Sequence, residues 1–165
     1  MRQRWLIYIL VGVVFGVFDF YYQLFLVNDL LHMQWGSLLE RLVLLMLMFG
    51  IFLIPVMPIV LYEAKISRSI WLSALAAAGT WSVSIIAYYL YNVAQLAFIG
   101  DPSWPGLHIS SRNDPYFWLN WQSMLSFLLV DNIIWMVVAL VGGATIGLLL
   151  STLYLRLSAG KSHPL

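Results

Sequence analysis

The chain has 165 residues, of which 62% are hydrophobic and only 9% are charged, and its mean hydropathy is +0.90. This composition lacks the polar surface that a water-soluble globule needs, so the sequence predicts an integral membrane protein. A net charge of +1 provides no basic field for nucleic acid, and the absence of cysteine excludes disulfides and thiolate metal sites.

Four apolar segments are long enough to cross a bilayer as helices, because ~20 residues at ~1.5 Å per residue span the ~30 Å hydrocarbon core. We place these helices at residues 5–26, 38–62, 70–98 and 125–154. A loop at 99–124, rich in turn-forming residues, joins the last two. The predicted fold is an all-α bundle of four transmembrane helices that forms one membrane domain over residues 1–165.

Basic residues flank the predicted helices unevenly. One end of the bundle carries Arg2, Arg4, Lys65, Arg68, Arg156 and Lys161, and the other end carries Arg41 and Arg112. By the positive-inside rule, both termini are predicted to be cytoplasmic and the loop at 99–124 to face outward. We expect a multi-pass protein of a plasma or inner membrane, in contact with the lipid bilayer.

Two Gly-x-x-x-Gly spacings predict sites of close helix packing. Gly12 and Gly16 lie in the first helix, and Gly143 and Gly147 lie in the fourth. Lipid tails provide no hydrophobic drive for helix association, so small residues that permit close approach are favoured at helix contacts. The favoured interpretation is that these are ordinary transmembrane glycines. The alternative is a specific pairing in which Gly12 faces Gly147 and Gly16 faces Gly143.

A polar face runs along the third helix, where small and polar residues recur every three or four positions. Its members are Ser73, Ala77, Thr80, Ser84, Tyr88, Tyr91 and Gln95. Such a face turns away from lipid. Hydrogen bonding to neighbouring helices is the favoured interpretation. The alternative is a polar wall of an outward-opening cavity.

Two acids in apolar helices, Asp19 and Asp131, sharpen that alternative. An ionisable group in a membrane helix is costly and marks a candidate functional site. The candidate intramembrane polar site comprises Asp19, Gln23, Arg41, Tyr88, Asn92, Gln95, Asp131 and Asn132. If the two acids approach each other, we expect them to share one proton. Alternatively, the greater length of the fourth helix leaves Asp131 near the outer surface, hydrated or capping a helix.

The second helix contains Pro55 and Pro58, which remove backbone donors and crowd the preceding turn. We therefore expect a kink between Ile51 and Pro58. This kink serves either as a gating hinge or as a static bend, and the static bend is the safer interpretation.

Aromatic residues mark the outer loop, namely Trp104, Tyr116, Phe117, Trp118 and Trp121. Such rings favour the headgroup level, so residues 115–127 are predicted to form a short interfacial helix before the fourth span. A lid over a cavity or a surface for a partner would use the same residues. His32 and His108 have no metal-ligand spacing, and we expect no metal site.

Three classes of function fit these features. We expect a non-enzymatic accessory or structural subunit of a larger membrane complex, or of a homo-oligomer. The first alternative is a small oligomeric proton-linked transporter that uses Asp19 and Asp131. The second alternative is a membrane enzyme acting on a lipid-linked substrate with two carboxylates as acid and base. The sequence identifies no cofactor.

Overall fold

The computed structural model describes residues 2–26 and 37–160. Within these ranges 88% of the residues are helical, and there is no strand. The helices are α1 (Arg2–Phe25), α2 (Leu38–Gly50), α3 (Leu53–Ser67), α4 (Ile70–Phe98) and α5 (Phe117–Gly160), and two short 3-10 helices, Pro105–Leu107 and Ile109–Ser111, precede α5. His32 and Lys161, which entered the sequence predictions, lie outside the described residues.

Three of these helices, α1, α4 and α5, are long and apolar enough to cross a membrane. The bent pair formed by α2 and α3 adds a fourth candidate span if the two helices count as one. The prediction of an all-α membrane bundle is confirmed at this level.

Helix α4 is the centre of the bundle, and α1 packs along it through its glycines. A Cβ atom added at Gly12 would lie 2.7 Å from the carbonyl oxygen of Thr80. At Gly16 it would lie 2.7 Å from the Cβ atom of Ala87 and overlap the carbonyl oxygen of Ser84. Any side chain larger than hydrogen would therefore push α1 away from α4.

Helix α5 packs on α4 by the same means. A Cβ atom at Gly143 would lie 2.8 Å from the Cα atom of Ala78, and one at Gly147 would lie 2.6 Å from the Cα atom of Ala74. The specific pairing of Gly12 with Gly147 and of Gly16 with Gly143 is therefore wrong. Both glycine pairs face α4, because its small residues accept a close backbone from each of two neighbours.

The predicted second helix, 38–62, is broken into α2 and α3, which are bent by 52°. Pro55 has no amide hydrogen to donate to the carbonyl oxygen of Ile51, and the amide of Ile54 donates there instead, at 3.1 Å. The break at Ile51 and Phe52 falls within the stretch where the prolines predict a kink. Helix α3 then continues to Ser67, and Arg68 ends it in the left-handed conformation (φ 49°).

Helix α5 begins at Phe117, although the fourth helix was predicted to begin at residue 125 after a loop at 99–124. Residues 117–124 are the first residues of α5 and do not form a separate interfacial helix. Phe117 and Trp121 are buried against Leu96 and Leu107, which fixes the first turns of α5 on the end of α4. Of the five aromatic residues predicted to mark the outer loop, Trp104, Tyr116 and Trp118 are exposed.

The connection from α4 to α5 is held to the end of α4 by His108. Gly100, two residues after the end of α4, has φ 85°, and its amide donates to the carbonyl oxygen of Gln95 at 2.9 Å. The Nε2 atom of His108 lies 3.2 Å from the carbonyl oxygen of Phe98, and its Nδ1 atom lies 2.7 Å from the hydroxyl of Ser110. His108 therefore organises the loop by hydrogen bonding.

Candidate functional site

A small cavity lies between α1, α4 and α5, beside the break between α2 and α3. Its volume is about 90 Å³. It is lined by Asp19, Gln23, Phe52, Ile85, Tyr88, Tyr89, Asp131 and Trp135. Four of these residues, Asp19, Gln23, Tyr88 and Asp131, belong to the intramembrane polar site predicted from the sequence.

Asp19 reaches the cavity because α1 lies so close to α4. Gly16, about one turn earlier, lets the two backbones meet, and the ring of Phe20 packs on Tyr88 with the ring centroids 5.8 Å apart. The Asp19 side chain is thereby 97% buried, with 3% of the residue exposed. Its Oδ1 atom accepts a long hydrogen bond of 3.4 Å from the Nε2 atom of Gln23.

Asp131 reaches the same cavity from the opposite wall. Gly143 packs on Ala78, and α5 runs antiparallel to α4 from that point. Asp131 and Tyr89 each lie about three turns from this contact, so they meet at one level. The hydroxyl of Tyr89 donates a hydrogen bond to the Oδ2 atom of Asp131. Asp131 therefore lies inside α5, facing the cavity, and not at a helix cap.

The other members of the predicted polar site lie elsewhere. Asn92, Gln95, Asn132 and Arg41 do not line the cavity. The Oε1 atom of Gln95 is buried without a hydrogen-bond partner among the described residues, and Arg41 is exposed on α2. The polar face of α4 is thus divided. The part from Ser73 to Ser84 packs against the glycines of α1 and α5, and Tyr88 lines the cavity.

Four cavity residues were missed by sequence reasoning: Phe52, Ile85, Tyr89 and Trp135. Phe52 lies in the break between α2 and α3, and a proline-interrupted span points to a binding site in transporters. Tyr89 is adjacent to Tyr88 and so falls on a different face of α4. Its role becomes visible only once α5 is placed on that face.

A second buried polar cluster joins the beginning of α1 to the end of α3. The Nη1 atom of Arg4 donates to both carboxylate oxygens of Glu63, at 3.1 and 3.2 Å, and the hydroxyl of Tyr8 donates to Oε2 at 2.6 Å. Glu63 is 1% exposed. The sequence placed Glu63 in a connection, because the predicted helix ended at residue 62. The longer α3 moves it into the bundle.

The size of the first cavity limits what it can hold. A cavity of about 90 Å³ has room for a few water molecules and is smaller than the ~300 Å³ or more of pockets that bind small-molecule ligands. Two carboxylates, two tyrosine hydroxyls and one amide face this space, so it offers oxygen atoms to protons and water. A metabolite-sized solute would need the helices to move apart.

The fold and this site define a class of protein, a helical membrane protein with two acids in one small cavity. Comparison with protein-family models, curated proteins and solved structures found no match to the chain.

Proposed function

We propose that the chain is a non-enzymatic subunit of a larger membrane assembly. The supporting observation is the surface of α5. Its most apolar 18-residue stretch is only 17% buried, compared with 61% for the corresponding stretch of α4. The glycine side of α5 packs on α4, and an exposed stripe of Val130, Ile134, Val137 and Val141 runs along the other side.

This exposed stripe of α5 has the side-chain chemistry of a helix-helix contact. Its four residues recur at intervals of three and four, so they lie on one face. All are β-branched, and such side chains have few rotamers in a helix, so little conformational entropy is lost when a partner helix covers them. A transmembrane helix of another subunit is the partner that this surface fits.

The proposed topology has four spans, with α2 and α3 together forming the second. Both termini are cytoplasmic, and the connection between α4 and α5 faces outward. Arg4, Arg68 and Arg156 support this orientation, because they lie at the end where α1 begins and α5 finishes. A plasma or inner membrane is the proposed location.

Native mass spectrometry after gentle detergent extraction at native expression level tests the subunit proposal. We expect the chain to be recovered with other membrane proteins at fixed stoichiometry. The substitution Val137→Trp should release it from them, because residue 137 is 56% exposed at the centre of the stripe. The control Val14→Trp, on α1 and 63% exposed, should leave the assembly intact. Recovery of the wild-type chain alone would overturn the proposal.

A second candidate function, proton-linked transport, is supported by the cavity. Asp19 and Asp131 line one small cavity from two different helices, and acids within membrane helices serve as proton relays in pumps and carriers. Four helices enclose little volume, so a solute path would form between copies of the chain. In this case Asp19 and Asp131 exchange protons, and Tyr89 holds the Asp131 carboxylate in place.

Proteoliposomes that enclose a pH-sensitive dye test this candidate. We expect the wild-type chain to dissipate an imposed pH gradient, and Asp19→Asn or Asp131→Asn to slow that flux at least about tenfold, since the amide cannot release a proton. The control Asp101→Asn changes an acid in the outer loop, where the Oδ1 atom accepts from the amide of Ser103, and should not alter the flux. Equal flux in wild type and Asp19→Asn would overturn this candidate.

A further inference from the structure

The half-span α2 differs from every other helix of the bundle in how it is held. None of its residues, from Leu38 to Gly50, is buried. Helix α3, which continues the same span, buries Pro55, Val56, Ile59, Val60, Glu63 and Ala64. In lipid there is no hydrophobic drive to return an apolar helix to its neighbours. The position of α2 therefore depends on specific contacts.

Two such contacts join α2 to the walls of the cavity. The hydroxyl of Tyr22 on α1 donates to the carbonyl oxygen of Leu47 at 3.0 Å. On the other side, the ring of Phe49 lies 5.8 Å from that of Trp135 on α5, measured between centroids. Tyr22 and Trp135 each lie about one turn from a cavity acid, so α2 bridges α1 and α5 beside the cavity.

The break between α2 and α3 supplies a fixed pivot. Phe52, the last residue of the break, is buried and lines the cavity. Its ring stacks on that of Trp81, with the ring centroids 4.8 Å apart. Gly50, which precedes it, is surrounded by open space, because a Cβ atom added there would meet nothing within 4 Å. The anchored side of the pivot is therefore α3, and the free side is α2.

We propose that α2 is a hinged gate that controls access of water and protons to the Asp19–Asp131 cavity. Release of the Tyr22 and Phe49 contacts lets α2 swing about Ile51 and Phe52, while α3 remains packed in the bundle. Hinges of this kind absorb backbone rotation over a few residues at the end of an element. The gate rests on the proton-linked function of the cavity, because it sets how readily water and protons reach Asp19 and Asp131.

Thiol labelling measures access directly, because the chain contains no cysteine of its own. The reporter is Ile85→Cys, in the α4 wall of the cavity, in protein reconstituted in nanodiscs and treated with a small charged thiol reagent. Adding Tyr22→Phe removes the hydrogen bond to Leu47, and we expect labelling about two to ten times faster, the factor that corresponds to one hydrogen bond.

The matched control is Tyr21→Phe. The hydroxyl of Tyr21 lies 2.5 Å from that of Tyr91 on α4 and does not bond to α2, so the labelling rate should stay within about twofold of the reporter alone. Gln23→Cys, also in the cavity lining, replaces the reporter if Ile85→Cys does not fold. Equal labelling rates in the Tyr22→Phe and Tyr21→Phe variants overturn the gate.

The labelling experiment tests the gate independently of proton-linked transport. Labelling is measured without a proton gradient, so a gated cavity in a protein without proton flux still responds to Tyr22→Phe. Conversely, if Asp19→Asn slows proton flux but Tyr22→Phe does not change the labelling rate, the transport proposal is supported and the gate is overturned.

Discussion

Glu63 is the most completely buried charged side chain in the described part of the chain. A carboxylate removed from water loses several kcal/mol of solvation unless its oxygens are paired. Arg4 and Tyr8 together donate three hydrogen bonds to it, and Arg4 keeps part of its surface in contact with the surroundings. The cluster therefore fixes the beginning of α1 to the end of α3 with a charge that is compensated in place.

Replacing Glu63 by Gln should destabilise the bundle. The neutral amide leaves the Arg4 charge without a counter-charge in the same space, and we expect a loss of about 1–3 kcal/mol in the free energy of unfolding. Tyr8→Phe should cost about 1 kcal/mol for its single hydrogen bond. Both values are measured by SDS titration in mixed micelles.

The control for this pair of variants is Lys65→Gln, which changes an exposed charge on the same helix. It should alter the unfolding free energy by less than about 0.5 kcal/mol. If Glu63→Gln were as mild as Lys65→Gln, the cluster would contribute nothing to stability.

Single residues were predictable where one helix determines their surroundings. Asp19 stands out because it interrupts an apolar run, and its face carries Gly12, Gly16 and Gln23. Glu63 escaped notice because it sits at the end of a span, where an acid usually reaches water. Its partner Arg4 lies 59 residues away, and the sequence gives no sign of that pairing.

At the scale of elements, the residues next to each end of α4 determine where this helix begins and ends. The side chain of Ser69 accepts from the amide of Leu72 at the first turn, and Gly100 takes the left-handed conformation after the last. The observed helix, Ile70–Phe98, coincides with the predicted range 70–98. The start of α5 was missed because the packing of Phe117 and Trp121 on α4 extends a helix that turn-forming residues nearby argue against.

Glycine spacing predicts that two backbones approach closely, but it does not name the second backbone. For this reason the pairing between α1 and α5 was wrong, although all four glycines do mediate close packing. The alanine and serine residues of α4 are the missing half of the pattern. They accept α1 on one side and α5 on another.

The packing of α1 on α4 yields a prediction at the scale of elements. Gly16→Ala places a methyl group against the backbone of Ser84 and the side chain of Ala87, and we expect a loss of about 1–3 kcal/mol in the unfolding free energy. Gly79→Ala is the matched control, since its added Cβ atom meets nothing within 4 Å. It should be neutral or stabilising by up to about 1 kcal/mol, through helix propensity. Similar losses in both variants would contradict close packing at Gly16.

For the whole molecule, the level of each acid depends on how the helices slide past one another. Helix lengths alone left Asp131 either beside Asp19 or near the surface. The contacts of Gly143 and Gly147 on α4 set the register of α5 and place Asp131 opposite Tyr89. Such a register arises from interdigitating surfaces of two helices, so no single stretch of sequence contains it.

The proposed topology of the whole molecule predicts which residues are reached from each side of the membrane. Single cysteines replace Ser103, in the exposed outer connection, and Ser158, near the end of α5. An impermeant maleimide should label Ser103→Cys on intact cells and Ser158→Cys only after permeabilisation. The reason is that, by the positive-inside rule, the proposed topology has the end of α5 on the cytoplasmic side. Labelling of Ser158→Cys on intact cells would reverse the orientation.

The central position of α4 also bears on biogenesis. Helix α1 is synthesised first, yet the surface that receives its glycines belongs to α4, and the carboxylate that receives Arg4 belongs to α3. At ~5–20 residues per second, several seconds pass between the emergence of α1 and that of α4. During this interval Arg4 lacks the carboxylate of Glu63 until α3 is made, and Asp19 keeps only its long hydrogen bond to Gln23 of the same helix. The close packing of α1 must therefore form after α4 has been synthesised.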